Sequence, residues 1–291
     1  MIGKLRGRSD SSLDLHEGAI CQYKKNDRCA SVIIGKFKYS IYSDDDYLDS
    51  VSGTFEPDMV RLFSLLVGSD DVVFDVGANI GCTSILFSQL ASKVYSFEPS
   101  PSTFQYLEMN VNHANAKNIN MFNVGLGNGA GKFTLTFASN NRAGGFVSDK
   151  MQASSGHQVE DIIIEIGDDF ISKNSIAKLD FIKIDVEGFE LNVINGLRST
   201  IMKFEPVVVL ELNHWCLNAL QRMSVPDFFD ALRNIFPFLY AIDKDDIRNL
   251  HNSSDAYHVM YHHIVHGFKY PNIVASFSKD RVSDFLTKYV A

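Results

Sequence analysis

A buried strand that meets an acid and breaks at once into a glycine turn is the most restrictive feature of this chain. It reads Val72-Val73-Phe74-Asp75-Val76-Gly77-Ala78-Asn79-Ile80-Gly81. Glycine is needed where a backbone bends sharply and a ligand must approach with no Cβ in the way. A helical stretch, Thr83 to Ser92, follows directly. Strand-like runs recur at Val94–Phe97, Asn120–Val124, Phe181–Asp185 and Val207–Leu212, and Thr103 to Ala114 reads as a second intervening helix. Short apolar strands separated by helices predict an α/β fold, Rossmann-like, with a mainly parallel sheet flanked by helices.

The flanks read differently. Ser31 to Ile34 and Lys36 to Tyr42, closed by the acidic turn Asp44 to Asp46, predict a β-hairpin within an N-terminal extension, residues 1–52. A helix from Glu56 to Val67 then opens the core, residues 53–215. Inside the core, Lys132–Ala138 and Val159–Ile166 predict an inserted β-hairpin, about residues 130–170. The polar loop between them, Ser139 to Gly156, reads as a mobile cover. Residues 216–291 read as the C-terminal part of the same domain and as a region for substrate contacts. They hold a helix near Val225 to Asn234, a strand at Phe238–Ile242, a polar loop and a helix around Ala256 to His266.

Charge and cysteine usage narrow the partners. The formal net charge is −8 with no Lys/Arg run, which argues against a nucleic-acid partner. The early positive charges have no apolar stretch behind them, so no secretory signal is expected. Apolar stretches such as Pro206 to Leu210 are too short to span a bilayer. Cys21, Cys29, Cys82 and Cys216 lack C-x-x-C spacing and read as reduced structural thiols of a cytoplasmic protein. Oligomeric state leaves no mark on the sequence.

The chemistry concentrates at four strand ends. The glycine turn has Gly-x-x-x-Gly spacing with an acid before it, not the G-x-G-x-x-G of dinucleotide binders. An acid there repels a pyrophosphate and suits a ligand carrying an ammonium and a sulfonium, which favours S-adenosylmethionine (SAM) over NAD. Glu98 closes the next strand at about 20 residues beyond the turn, where an acid accepts ribose hydroxyls. In Lys183-Ile184-Asp185-Val186-Glu187-Gly188-Phe189-Glu190, Asp185 stands at the carboxyl rim of the sheet, and Asp-Val-Glu-Gly replaces the Asn/Asp-Pro-Pro-aromatic pattern of nucleic-acid amine methylation. In Leu210-Glu211-Leu212-Asn213-His214-Trp215, His214 is a candidate general base. Asp185, Glu211 and Asn213 are the ligands expected if a divalent ion is used. His258, His262 and His266 share a helix face and read as packing or glycan contacts.

With these blocks in place, the chain resembles the FkbM family of SAM-dependent methyltransferases. The matching residues are Phe55-Glu56-Pro57, Asp75 through Gly81, Phe97-Glu98-Pro99, Asn123-Val124-Gly125-Leu126-Gly127 and Ile182 through Glu190. The resemblance implies a class I methyltransferase fold that methylates mainly hydroxyls, often of sugars or secondary metabolites. It implies that Asp75, Gly77, Asn79 and Gly81 line the methionine end of SAM, that Glu98 holds the ribose, and that Asn123 and Gly125 lie by the adenine. Glu56 and Pro99 join the cofactor set through their motifs. Asp185 or His214 is then the expected base, with Glu187 shaping the pocket and a small-molecule or glycan acceptor. The competing readings are methylation of an amine or carboxylate, and a non-catalytic glycan- or protein-binding module on the same fold.

Overall fold

The computed structural model describes residues 27–151 and 153–290; Cys21 and residues 1–26 of the expected extension lie outside them. In chain order, β1 (Arg28–Ile34), β2 (Phe37–Ser43), α1 (Tyr47–Val51) and β3 (Gly53–Thr54) form the N-terminal unit, and α2 (Pro57–Leu66) leads into the core. Next come β4 (Val72–Val76), α3 (Cys82–Leu90), β5 (Lys93–Phe97), α4 (Pro101–His113) and β6 (Ile119–Phe122). The insertion is β7 (Gly125–Gly127), β8 (Gly131–Ala138), β9 (Asn141–Phe146) and β10 (His157–Ile166). Then follow α5 (Gly167–Lys173), β11 (Phe181–Ile184), α6 (Glu190–Gly196), α7 (Arg198–Phe204), β12 (Val207–Glu211), α8 (His214–Gln221) and α9 (Val225–Arg233). The chain ends with β13 (Phe238–Asp243), β14 (Asp246–Asn249), α10 (Ser253–Val265), β15 (Asn272–Ser276) and α11 (Lys279–Val290).

Eight strands make the central sheet in the order β14-β13-β15-β12-β11-β4-β5-β6. The five from β12 to β6 are mutually parallel, and β15 enters antiparallel beside β12. The chain steps outward from β4 to β5 and β6, then returns to the other side of β4 with β11. That reversal is a topological switch point, where the loops at the strand carboxyl ends diverge and leave a crevice.

Both faces of the sheet's centre are buried, so its central strands are largely apolar rather than alternating. Phe74, Ile182, Ile184, Val208 and Leu210 pack on one face against α5 to α10. Val73, Phe181, Val207 and Val209 pack on the other against α2, α3, α4, α11 and the N-terminal hairpin. Each such side chain contributes roughly 1.5–3 kcal/mol when fully buried. Among the described residues no helix is long and apolar enough to cross a membrane.

The sequence expectation and the structure part in several places. The loop expected over Ser139 to Gly156 is partly strand: β9 pairs antiparallel with β8, despite two glycines, because Phe146 is buried and β8 offers an open edge. The polar stretch after Phe238–Ile242 contains β14, hairpin-paired to β13. β15 was not expected at all; Ile273, Val274 and Ala275 form too short an apolar run for periodicity to type it.

Helix α6 reaches β7 through bare backbone. A Cβ added at Gly196 would stand 1.8 Å from the carbonyl oxygen of Gly127. Gly196→Ala must therefore push α6 off the insertion, at about 1–3 kcal/mol. We expect a thermal midpoint lower by roughly 2–4 °C for each kcal/mol; an unchanged midpoint would rule out that close contact.

Candidate active site

A cleft of about 250 Å³ opens at the carboxyl ends of β4, β5, β11 and β12, at the switch point. Its floor is the glycine turn. Gly77 takes φ +80, and a Cβ there would lie 1.9 Å from the Asp185 carbonyl oxygen, so only glycine lets β4 and β11 end side by side. The amides of Gly77 and Ala78 both donate to the Phe97 carbonyl (3.0 and 2.9 Å), which ties the turn to β5. Gly81 (φ +95) precedes α3 and allows Leu107 of α4 to close on it.

Glu98 stands on the β5 side. Its carboxylate accepts from the amides of Asn79 (3.0 Å) and Ser100 (2.8 Å), so its direction is fixed by backbone. Burial nevertheless pushes it up to about 7. Asn123 reinforces the segment by donating to the carbonyls of Glu98 (2.9 Å) and Pro99 (3.0 Å). Asn79 adds a buried side-chain oxygen with no partner. Gly125, Leu126, Ile164 and Phe189 supply an apolar wall.

Beneath the turn lies a buried lysine. Lys183 of β11 sits in register with Asp75 of β4. Its ammonium pairs with Asp75 (3.4 Å) and Asp185 (3.3 Å) and donates to the Gly77 carbonyl (2.8 Å). Burial works against its charge, but the two carboxylates outweigh burial and hold it above its ordinary value. Asp75, fully buried, also accepts from Ser84 Oγ (2.6 Å).

Across β4 from Glu98, the acids converge. Asp185, Glu187 and Glu211 each place a carboxylate oxygen within 4.8 Å of the others. Burial, then the Asp185 charge, pushes Glu187 up to about 7, and the same causes raise Glu211 well above a carboxylate's usual range. Glu211 Oε2 is buried without a partner. Glu56 completes the wall from the start of α2, with a backbone φ of +23 just before Pro57.

The structure thus brings Glu56, Gly77, Asn79, Glu98, Pro99, Gly125, Asp185, Glu187 and Glu211 to one cleft. Asp75, Gly81 and Asn123 stand behind its wall and act through neighbours. Two expectations need correction. His214 does not line the cleft: its ring packs at 4.9 Å from both His263 and Phe268 on the side of α8 that faces α10. Asn213 cannot be an oxygen ligand there, because its Oδ1 caps α8 by accepting from the Cys216 amide, while its Nδ2 donates to Glu187 (3.2 Å). Glu187 takes its place in the trio. His258, His262 and His266 do share a face, with successive ring centroids 4.1 and 4.8 Å apart, away from the cleft lining.

Arg142 was missed. It projects from β9 over the cleft, forks onto both oxygens of Asp44 (3.0 Å each) and bonds Ser102. Only its place in a polar loop was legible. Lys183 had a stronger signal, a charged residue in the otherwise apolar strand Phe181–Ile184.

Residues 75–242 match the methyltransferase FkbM domain. The chain belongs to the FkbM family of SAM-dependent methyltransferases. Hexuronic acid methyltransferase AglP of Haloferax volcanii is 31% identical over 159 residues, which are 53% of this chain and 61% of that protein. Methyltransferase 1 of Beauveria bassiana is 24% identical over 161 residues, covering 49% of this chain and 65% of that protein. The FkbM methyltransferase structure from Methylobacillus flagellatus KT aligns at 20% identity with a TM-score of 0.40, over 58% of this chain and 38% of that one. The chain therefore spans less than two thirds of each of these proteins. The FkbM cofactor fits the donor set: an unpartnered Asn79 oxygen, a backbone-aimed Glu98 carboxylate and an apolar wall suit its ammonium, ribose diol and adenine in turn.

Removing one partner of a buried ion pair costs about 3–5 kcal/mol, because the other charge is stranded. Lys183→Met should lose that much in urea unfolding, and adding Asp75→Asn should recover a good part of it; equal losses in single and double variants would refute the pairing. Glu190 provides a pH test. It is buried, accepts from the amides of Gly188 and Val186, and is pushed up to about 7 by burial. Its folded value lies above its unfolded one, so its contribution is full below about 4.5 and is lost as pH rises through about 7. Glu190→Gln should therefore narrow the fall in thermal midpoint between pH 5 and pH 8; an undiminished fall would place the titration elsewhere.

Proposed function

We propose that this chain is an O-methyltransferase that transfers the methyl group of SAM to a hydroxyl of a sugar, glycan or secondary metabolite. One observation carries the reading. Glu98 and the Asp185–Glu187 pair flank the glycine turn on either side of β4, so a site for a ribose and a proton acceptor share one cleft. Relatedness to a protein named for hexuronic acid methylation supports a sugar acceptor. Among the described residues Cys29, Cys82 and Cys216 are free thiols, which supports a reducing compartment such as the cytoplasm.

In this reading Glu98 accepts from the ribose hydroxyls, Asn79 Oδ1 accepts from the cofactor's ammonium, and Leu126 and Phe189 flank the adenine. SAM supplies an electrophilic methyl group on a sulfonium that is already a good leaving group. The protein's work is alignment and proton removal. Holding the acceptor oxygen in place is worth about 7–11 kcal/mol through effective molarity. Glu187 takes the hydroxyl proton. Proton removal by a positioned base is worth about 10²–10⁴ in rate, and a carboxylate that titrates near the working pH is a better base than an ordinary one. Asp185, anchored by Lys183, orients the hydroxyl toward it.

Titration with S-adenosylhomocysteine tests the cofactor half: micromolar binding by the wild type should be lost in Glu98→Ala, and no binding by folded wild type would sink the reading. Glu187 must be ionised to act, so methylation should fall as pH drops below about 7. Glu187→Gln should lower kcat about 100-fold or more and remove that acid limb; a variant keeping both rate and limb would assign the base elsewhere.

A further inference from the structure

Behind the acid trio lies a second cavity of about 200 Å³ that the cofactor reading leaves unassigned. It shares Glu56, Met59, Lys183, Asp185 and Glu211 with the main cleft. Its own walls are Ile184, Val209, Pro271 and Asn272. The two spaces therefore meet at Glu56, Asp185 and Glu211, and the last two stand within 4.8 Å of Glu187, the carboxylate proposed to take the proton.

Building on the methyltransferase reading, we propose that this second cavity is the acceptor subsite and that it takes a neutral, hydroxyl-rich ring, not a carboxylate-bearing one. The charge count decides the class. Glu56, Asp185 and Glu211 face the cavity against one ammonium, and Lys183 already pairs with two acids and donates to a backbone carbonyl. A carboxyl pairs with hydroxyls in either protonation state, whereas a uronate brings a further negative charge to a place where the acids already repel one another. Glu211 Oε2, buried and unpartnered, is open to a hydroxyl. Met59, Ile184, Val209 and Pro271 offer apolar surface to the C–H face of a ring, and Asn272 adds one amide.

The backbone of Glu56 gives independent support. A non-glycine residue at φ +23 before a proline is strained, and such strain persists only where surrounding packing holds it, commonly at ligand clamps. The strained residue is one of the five that line both spaces.

The test uses full-length protein saturated with S-adenosylhomocysteine and saturation-transfer NMR. The probes are methyl glucoside, galactoside and mannoside, and the matching uronates, with and without magnesium. At least one neutral glycoside should bind, and the uronates should bind at least tenfold more weakly. Asn272→Trp, which fills the cavity, should abolish the neutral signal, and Asn272→Leu should weaken it, with S-adenosylhomocysteine affinity within twofold of wild type in both. A uronate that binds as well as its neutral partner, with or without magnesium, would overturn the proposal. So would unaltered glycoside binding in both variants, or no glycoside binding by cofactor-loaded wild type. Wild type that fails to bind S-adenosylhomocysteine would remove the underlying reading as well, and is told apart by that titration alone.

Discussion

The buried ammonium of Lys183 is the interaction on which the rest of the site depends. It joins β4 to β11 at the level where the chain reverses direction across the sheet, and bonds an acid from each strand and the carbonyl of the glycine turn. Without it Asp75 would be a lone charge in the core. With it, the carboxylate of Asp75 takes a hydroxyl from Ser84, and that hydroxyl in turn touches Ser96 of β5. A single charge thus fixes the ends of three neighbouring parallel strands. A hydrophobic residue could fill the same volume with less desolvation, but it could not set the direction of Asp185.

The cleft that results is asymmetric. Toward β5 and β6 the polar groups are tied by backbone: Glu98 by two amides, Asn123 by two carbonyls. Toward β12 the acids crowd one another with few donors, so burial and mutual repulsion raise Glu187 and Glu211. Tight hydrogen bonding suits a cofactor held the same way in every cycle. Under-satisfied carboxylates suit a place where protons and acceptors change.

Much of this was legible in the amino-acid order. Asp75 through Gly81, Glu98 and Asp185 each end an apolar run, and strand periodicity with turn chemistry places such residues at a sheet's rim. The rest depended on contacts between distant segments. Asp75 faces the core and Asp185 the cleft because the strand register sets Asp75 beside Lys183, two residues below the level of Asp185 at the sheet's rim. Asn213 read as an oxygen donor because its capping of α8 needs a helix start that the apolar pattern did not mark. His214 read as a base because it follows a strand end by three residues, yet the helix that begins there turns its ring toward His263 and Phe268. Asn141–Phe146 carries low strand propensity and is a strand only because β8 has a free edge.

Arg142 has a consequence for motion. Its side chain, only 10% exposed, joins the insertion to the acidic turn of the N-terminal hairpin, and Asp46 and Asn140 bond beside it. The roof of the cleft and the first hairpin are therefore one mechanical unit, although about a hundred residues separate them. Whatever occupies the space under Arg142 and favours the closed roof must, by thermodynamic linkage, also slow the hairpin's amide exchange. Conversely, anything that breaks the clasp loosens both together. The N-terminal hairpin is thereby a distant reporter of what the cleft contains.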